Sequence, residues 1–128
     1  MSFKKLKVYE NAYQLAMDVF KVSKSFPKEE TYSLTDQMRR ASRSICANIV
    51  EAYRERTYPR FFSSKIRGAD AETSEMLVWI DFAKDCGYIS SEVHQSLGER
   101  YKEIGRMLGS MATHPERFIP REVVGSNQ

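Results

Sequence analysis

The run Leu34-Thr35-Asp36-Gln37-Met38-Arg39-Arg40-Ala41-Ser42-Arg43-Ser44-Ile45-Cys46-Ala47-Asn48-Ile49-Val50-Glu51-Ala52-Tyr53-Arg54 decides the architecture. Leu34, Met38, Ala41, Ile45, Ile49 and Ala52 recur at spacings of three and four, which line one side of an α-helix. Ser33-Leu34-Thr35-Asp36 places a capping serine before the run and an acid three residues later, a variant of the capping box. At about 100° per residue, Arg40, Arg43 and Arg54 fall within about 60° of one another, opposite Ile45 and Ile49. A helix this amphipathic needs partners for its apolar stripe, and the flanking sequence supplies three.

Upstream, Val8, Ala12, Leu15, Val19 and Val22 stripe a first helix over roughly Val8 to Ser25, stopped by Pro27. Downstream, Arg56-Thr57-Tyr58-Pro59 breaks the chain, with Pro59 suited to a first helical turn because its missing N–H costs nothing there. The third helix carries Phe62, Ile66, Ala69, Thr73, Met76, Leu77, Ile80 and Ala83, and Gly87 is placed to end it in the left-handed conformation. Ile89 and Ser90 read as the staple and cap of a fourth helix bearing Val93, Leu97, Tyr101, Ile104, Leu108 and Met111. Four helices of similar length with short connections predict an all-α, antiparallel up-down-up-down four-helix bundle. Residues 1–113 form it, and residues 114–128, with Pro115, Pro120 and Gly125-Ser126-Asn127-Gln128, read as a flexible tail.

The stripes do not absorb all the apolar residues. Tyr9, Tyr13, Met17 and Phe20 lie off the first stripe, Cys46, Val50 and Tyr53 off the second, and Phe61, Val78, Trp79 and Phe82 off the third. A wide core face accounts equally well for any one helix taken alone. The same excess on three helices points to homo-oligomerisation, with Tyr9, Tyr13, Phe20, Tyr53, Phe61, Trp79 and Phe82 as the interface candidates.

At 128 residues the chain suits one domain. No stretch reaches the length of apolar residues that spans a bilayer, so no membrane partner is expected. The basic start Lys4-Lys5-Leu6-Lys7 is followed by Glu10, Asn11 and Gln14, which interrupt a signal-peptide core. Cys46 and Cys86 fall on helical segments without a neighbouring Cys or His, the usage of reduced thiols in a cytoplasmic protein. His94 has Ser91, not glutamate, three residues before it, so the Glu-x-x-His of a di-metal bundle is missing, and neither metal nor cofactor is expected. Nucleophile elbows, phosphate loops and Cys-x-x-Cys motifs are lacking, and catalytic carboxylates would need a pocket that the sequence does not reveal, so an enzyme is not expected.

Charge is the strongest functional signal. Residues 39–67 hold eight basic side chains against two acidic ones, a net of +6, whereas residues 68–99 hold one lysine against seven carboxylates, a net of −6. The basic set is Arg39, Arg40, Arg43, Arg54, Arg56, Arg60, Lys65 and Arg67. Arginine's planar fork gives phosphate two hydrogen bonds at once, and Tyr53 and Tyr58 among these charges could stack on unpaired bases. Each arginine taken singly reads as a solvated side chain or one paired with a neighbouring subunit's acidic half. The cluster as a whole reads as a contact for RNA or DNA, which charge reversal at Arg40 and Arg43 should abolish.

With the helices placed, Phe3-Lys4-Lys5-Leu6-Lys7-Val8-Tyr9 and Ala12-Tyr13-Gln14-Leu15-Ala16 resemble the start of the four-helix bundle proteins related to those encoded in 23S ribosomal RNA intervening sequences. Phe26-Pro27-Lys28-Glu29-Glu30, Tyr32-Ser33-Leu34-Thr35, Gln37-Met38-Arg39-Arg40-Ala41 and Ala83-Lys84-Asp85-Cys86-Gly87-Tyr88-Ile89-Ser90 continue the similarity, which covers about residues 3–112. Ser44-Ile45-Cys46-Ala47-Asn48-Ile49-Val50-Glu51-Ala52 is similar to a family segment that carries proline and glycine where Cys46 and Ala52 stand, so the second helix is expected to run straighter and longer. The resemblance implies a ring-like homopentamer with suspected nucleic-acid binding. It also implies an alternative role as an adaptor, because a similar bundle is the accessory subunit of reverse transcriptases in diversity-generating retroelements.

Overall fold

The computed structural model describes residues 2–119. Among these, four long helices and no strand are found: α1 (Lys7–Ser23), α2 (Leu34–Arg54), α3 (Pro59–Asp85) and α4 (Ser91–Thr113). Short 3-10 turns at Phe3–Lys5, Lys28–Glu30 and Pro115–Arg117 join or flank them. Cross-helix contacts set the antiparallel register. Ser23 meets Arg39 between α1 and α2, and Glu51 meets Lys65 between α2 and α3. Asp81 and Ser63 meet His94 and Ala112 between α3 and α4, and Asp18 meets Arg100 to close α1 on α4. The fold is the expected up-down-up-down bundle.

The stripes read from the sequence form the core, joined by Leu6, Phe26, Tyr53 and Ala112, which lay outside them. Val19, Met38, Ile45, Ile49, Phe62, Ile66, Met76, Ile104 and Leu108 are completely or almost completely buried, each worth roughly 1.5–3 kcal/mol of transfer free energy. Only Val22, Leu77 and Val93 of the expected stripe residues are half-buried rather than buried. α2 packs most extensively against α3. α1 and α4 make the sparsest of the four lateral contacts.

The helix ends follow local chemistry, with one correction. Gly87 adopts φ +81° and ends α3, and Ser90 Oγ accepts from the Val93 N–H at 3.1 Å. Ser33 does not cap α2 through its side chain, because its φ of −126° and ψ of −102° turn the hydroxyl away from the helix. The Ser33 hydroxyl donates to Glu30 instead, and the same Glu30 carboxylate accepts from the Leu34 N–H at 3.3 Å. Glu30 thus does the capping from the preceding turn. Those two hydrogen bonds and one from the Tyr88 hydroxyl hold its carboxyl below the ordinary range, the Ser33 bond contributing most.

The first part of the expected tail is structured. Pro115–Arg117 forms a turn, and Phe118 stacks on buried Phe62 with ring centroids 5.3 Å apart. The rest of that expectation, residues 120–128, lies outside the described residues.

Candidate nucleic-acid interface

The α2–α3 turn is built by a chain of backbone hydrogen bonds: Glu55 N–H to the Ala52 carbonyl, Arg56 to Tyr53, Tyr58 to Glu55 and Phe62 to Tyr58. It reverses the chain in four residues and so brings the end of α2 beside the start of α3. Pro59 occupies the first position of α3 as expected.

The eight basic side chains do not form one surface. Arg39 and Arg43 sit near the other end of α2, about 16 Å along the helix from Arg54 in the case of Arg43. Arg39 is half-buried, donates from Nε to Ser23 Oγ at 2.8 Å and lies 4.8 Å from the Phe20 ring centroid, with Arg43 5.9 Å from the same ring. Arg40 pairs with Asp36 at 3.0 Å. Arg56 folds back over Tyr53, 4.1 Å from its ring centroid, and donates to its carbonyl. Lys65 pairs with Glu51 at 2.8 Å across α2 and α3. Arg43, Arg54, Arg60 and Arg67 are exposed and make no ion pair among the described residues. Arg60 and Arg67, two turns apart on the outer side of α3, line a cleft of about 400 Å³ together with Ser63, Ser64 and Pro115. The Ser63 hydroxyl is spent on the Ala112 carbonyl at 2.9 Å and ties α3 to the end of α4. Arg54 faces a separate cleft with Glu55 and Phe61 on the α2–α3 seam.

The interface candidates also divide. Tyr53 is a correction: it is buried, because the last turn of α2 rotates it inward, and Arg56 covers it. Tyr9 is half-buried edge-on against Phe3, and Phe20 is half-buried beneath Lys24, Arg39 and Arg43. Tyr13, Phe61 and Phe82 are exposed, and half-buried Trp79 lies beside Phe82. Tyr32, which periodicity did not single out because it lies in a turn, is the most exposed large apolar side chain described, at 94%. It lines a cleft of about 360 Å³ with Trp79, Phe82 and Glu30 at the end of the bundle away from the α2–α3 turn.

Among the described residues no three His, Cys, Asp or Glu side chains gather as a metal cluster. The histidines are engaged rather than merely solvated: His94 Nε2 lies 2.7 Å from Asp81, and His114 Nδ1 3.3 Å from Glu116. Burial pushes the Cys46 thiol up to about 11, and burial, with the adjacent Glu75 adding to it, lifts Glu72 above the ordinary carboxylate value. Among the described residues no helix is long and apolar enough to cross a membrane.

The profile of the 23S rRNA-intervening sequence proteins matches residues 4–110. No curated protein matches the chain. Among solved structures, a protein of unknown function from the S23 ribosomal protein family of Bacteroides thetaiotaomicron superposes with a TM-score of 0.73 at 27% identity, over 83% of this chain and 95% of that one. With its family pattern matched over most of its length and a relative sharing its four-helix architecture, the chain belongs to the 23S rRNA-intervening sequence protein family.

Proposed function

We propose that this protein is a non-enzymatic, self-associating cytoplasmic bundle that binds RNA or DNA through the sugar–phosphate backbone. The observation that carries the reading is the cleft in which Arg60 and Arg67 stand together, exposed and without an ion pair among the described residues. Two long arginines whose backbone positions lie about 10 Å apart along α3 can each give a guanidinium fork to a phosphate of one strand. Arg43 widens the positive field, while Arg39 and Arg56 serve packing inside the chain. Assembly as a ring of five, which the family resemblance implies, repeats this modest site around an axis and raises avidity.

Retention of labelled RNA and DNA on filters at rising salt is the test. Binding falls steeply with salt as neutralised phosphates release counterions, and Arg60→Glu with Arg67→Glu lowers the slope by about 2. Absence of salt-sensitive retention in the unaltered protein would sink the reading. The double variant is preferable to reversal of Arg40, whose guanidinium is already engaged by Asp36.

A second reading, an adaptor that presents a protein partner such as a reverse transcriptase, is favoured by the aromatic cleft of Tyr32, Trp79 and Phe82. The Arg60/Arg67 variant separates the two, since an apolar partner contact there survives it.

A further inference from the structure

The two ends of the α2–α3 pair present unmet and opposite chemistry. At one end Tyr32 is 94% and Phe82 53% exposed around a cleft of about 360 Å³. The half-buried ring of Trp79 lines the same cleft. Glu75 and Asp85, on the same stretch of α3, are exposed and make no ion pair among the described residues. At the other end, Tyr58 is 63% and Phe61 43% exposed, and Arg54 stands beside Phe61 without an ion pair. Each end holds what the other lacks: rings for rings, and a cation for carboxylates.

One copy cannot join them. Phe61 and Phe82 lie on one continuous helix, about 30 Å apart at 1.5 Å per residue. We propose that the Tyr32–Trp79–Phe82 cleft of one copy receives the α2–α3 turn of a second copy. Tyr58 and Phe61 enter between the rings, and Arg54 reaches Asp85 or Glu75. The composition matches that of energetic centres in interfaces, where Trp, Tyr and Arg dominate. Because cleft and turn are different surfaces, the contact is head-to-tail and leaves one of each free until a ring closes. It rests on the self-association proposed above, but not on nucleic-acid binding: Arg60 and Arg67 face the other side of α3.

Two variants of the full chain, Phe82→Glu in the cleft and Phe61→Glu at the turn, test it by light scattering. Both positions are exposed, and unchanged helicity by circular dichroism verifies the fold, with Phe82→Ala and Phe61→Ala as milder substitutes. Each variant alone falls to the one-chain mass of 14.9 kDa. Mixed, the two form a species of two chains and no more, because each still carries one intact surface. Trp79 is the chain's one tryptophan, so its emission shifts to the red in Phe61→Glu although the substitution is remote within a copy. A mixture that stays at the one-chain mass, or a Phe61→Glu protein that assembles as the unaltered chain does, overturns the contact while leaving self-association standing. A one-chain mass for the unaltered protein overturns both, and leaves the filter-retention result untouched.

Discussion

The guanidinium of Arg39 donates to Ser23 Oγ at 2.8 Å, joining the last turn of α1 to the first turns of α2, while its carbon lies 4.8 Å from the Phe20 ring centroid. Ser23 is itself buried and donates onward to the Phe20 carbonyl at 3.1 Å, so the arginine completes a small polar network at the edge of the core. Arg39→Ala is therefore expected to lower stability by about 1 to 2 kcal/mol and to leave RNA retention close to unaltered. Chemical denaturation beside filter retention measures both. Lost retention with unchanged stability would return Arg39 to the phosphate-contact set.

The two thiols should differ sharply. Cys46 is half-buried in α2 and burial lifts it to about 11, so at a pH of about 8 its reactive thiolate is about one part in a thousand. Cys86 is exposed just beyond α3. Alkylation of the folded Phe61→Glu variant, whose Tyr32–Trp79–Phe82 cleft beside Cys86 stays open, should label Cys86 first and reach Cys46 only as the chain unfolds, with peptide mass spectrometry locating the adduct. Equal rates in the folded state would contradict the burial of Cys46.

Glu30, Ser33 and Tyr88 tie α2 to the α3–α4 turn, and the tie has a signed pH dependence. Hydrogen bonds, the one from Ser33 foremost, lower the Glu30 carboxyl from 4.5, so its contribution is present above that value and is lost as pH falls through the depressed one. The Tyr88 hydroxyl, donating to Glu30 at 2.8 Å, is pushed up to about 12 chiefly by that bond. Its contribution is present below about 10 and is lost as pH rises through about 12. Glu30→Gln should flatten the acid limb of the melting temperature and move one tyrosine's phenolate absorbance to lower pH. Identical phenolate titrations in the two proteins would remove the link.

Phe118 makes residues past Thr113 part of the bundle by stacking on Phe62. A chain ended at Thr113 should lose about 1 to 3 kcal/mol relative to the full chain, and Phe118→Ala most of the same amount. An unchanged melting midpoint for both would show that the stack adds nothing.

Four helices, their order and nearly every core residue were already legible in the spacing of apolar side chains, because a 3.6-residue period leaves one stripe per helix to bury. Gly87 and Ser90 were legible as well, since left-handed backbone and an N-cap are local demands. What each charged or aromatic side chain touches was not, because a wheel gives a direction on one helix and no neighbour on the next. Only packing could spend Arg39 on Ser23 and Lys65 on Glu51, and turn Tyr53 inward beneath Arg56. It also left Arg60 beside Arg67, and Tyr32 beside Trp79 and Phe82. Periodicity determined what is buried within a copy; distances between helices decided which of the remaining groups stay free to meet something else.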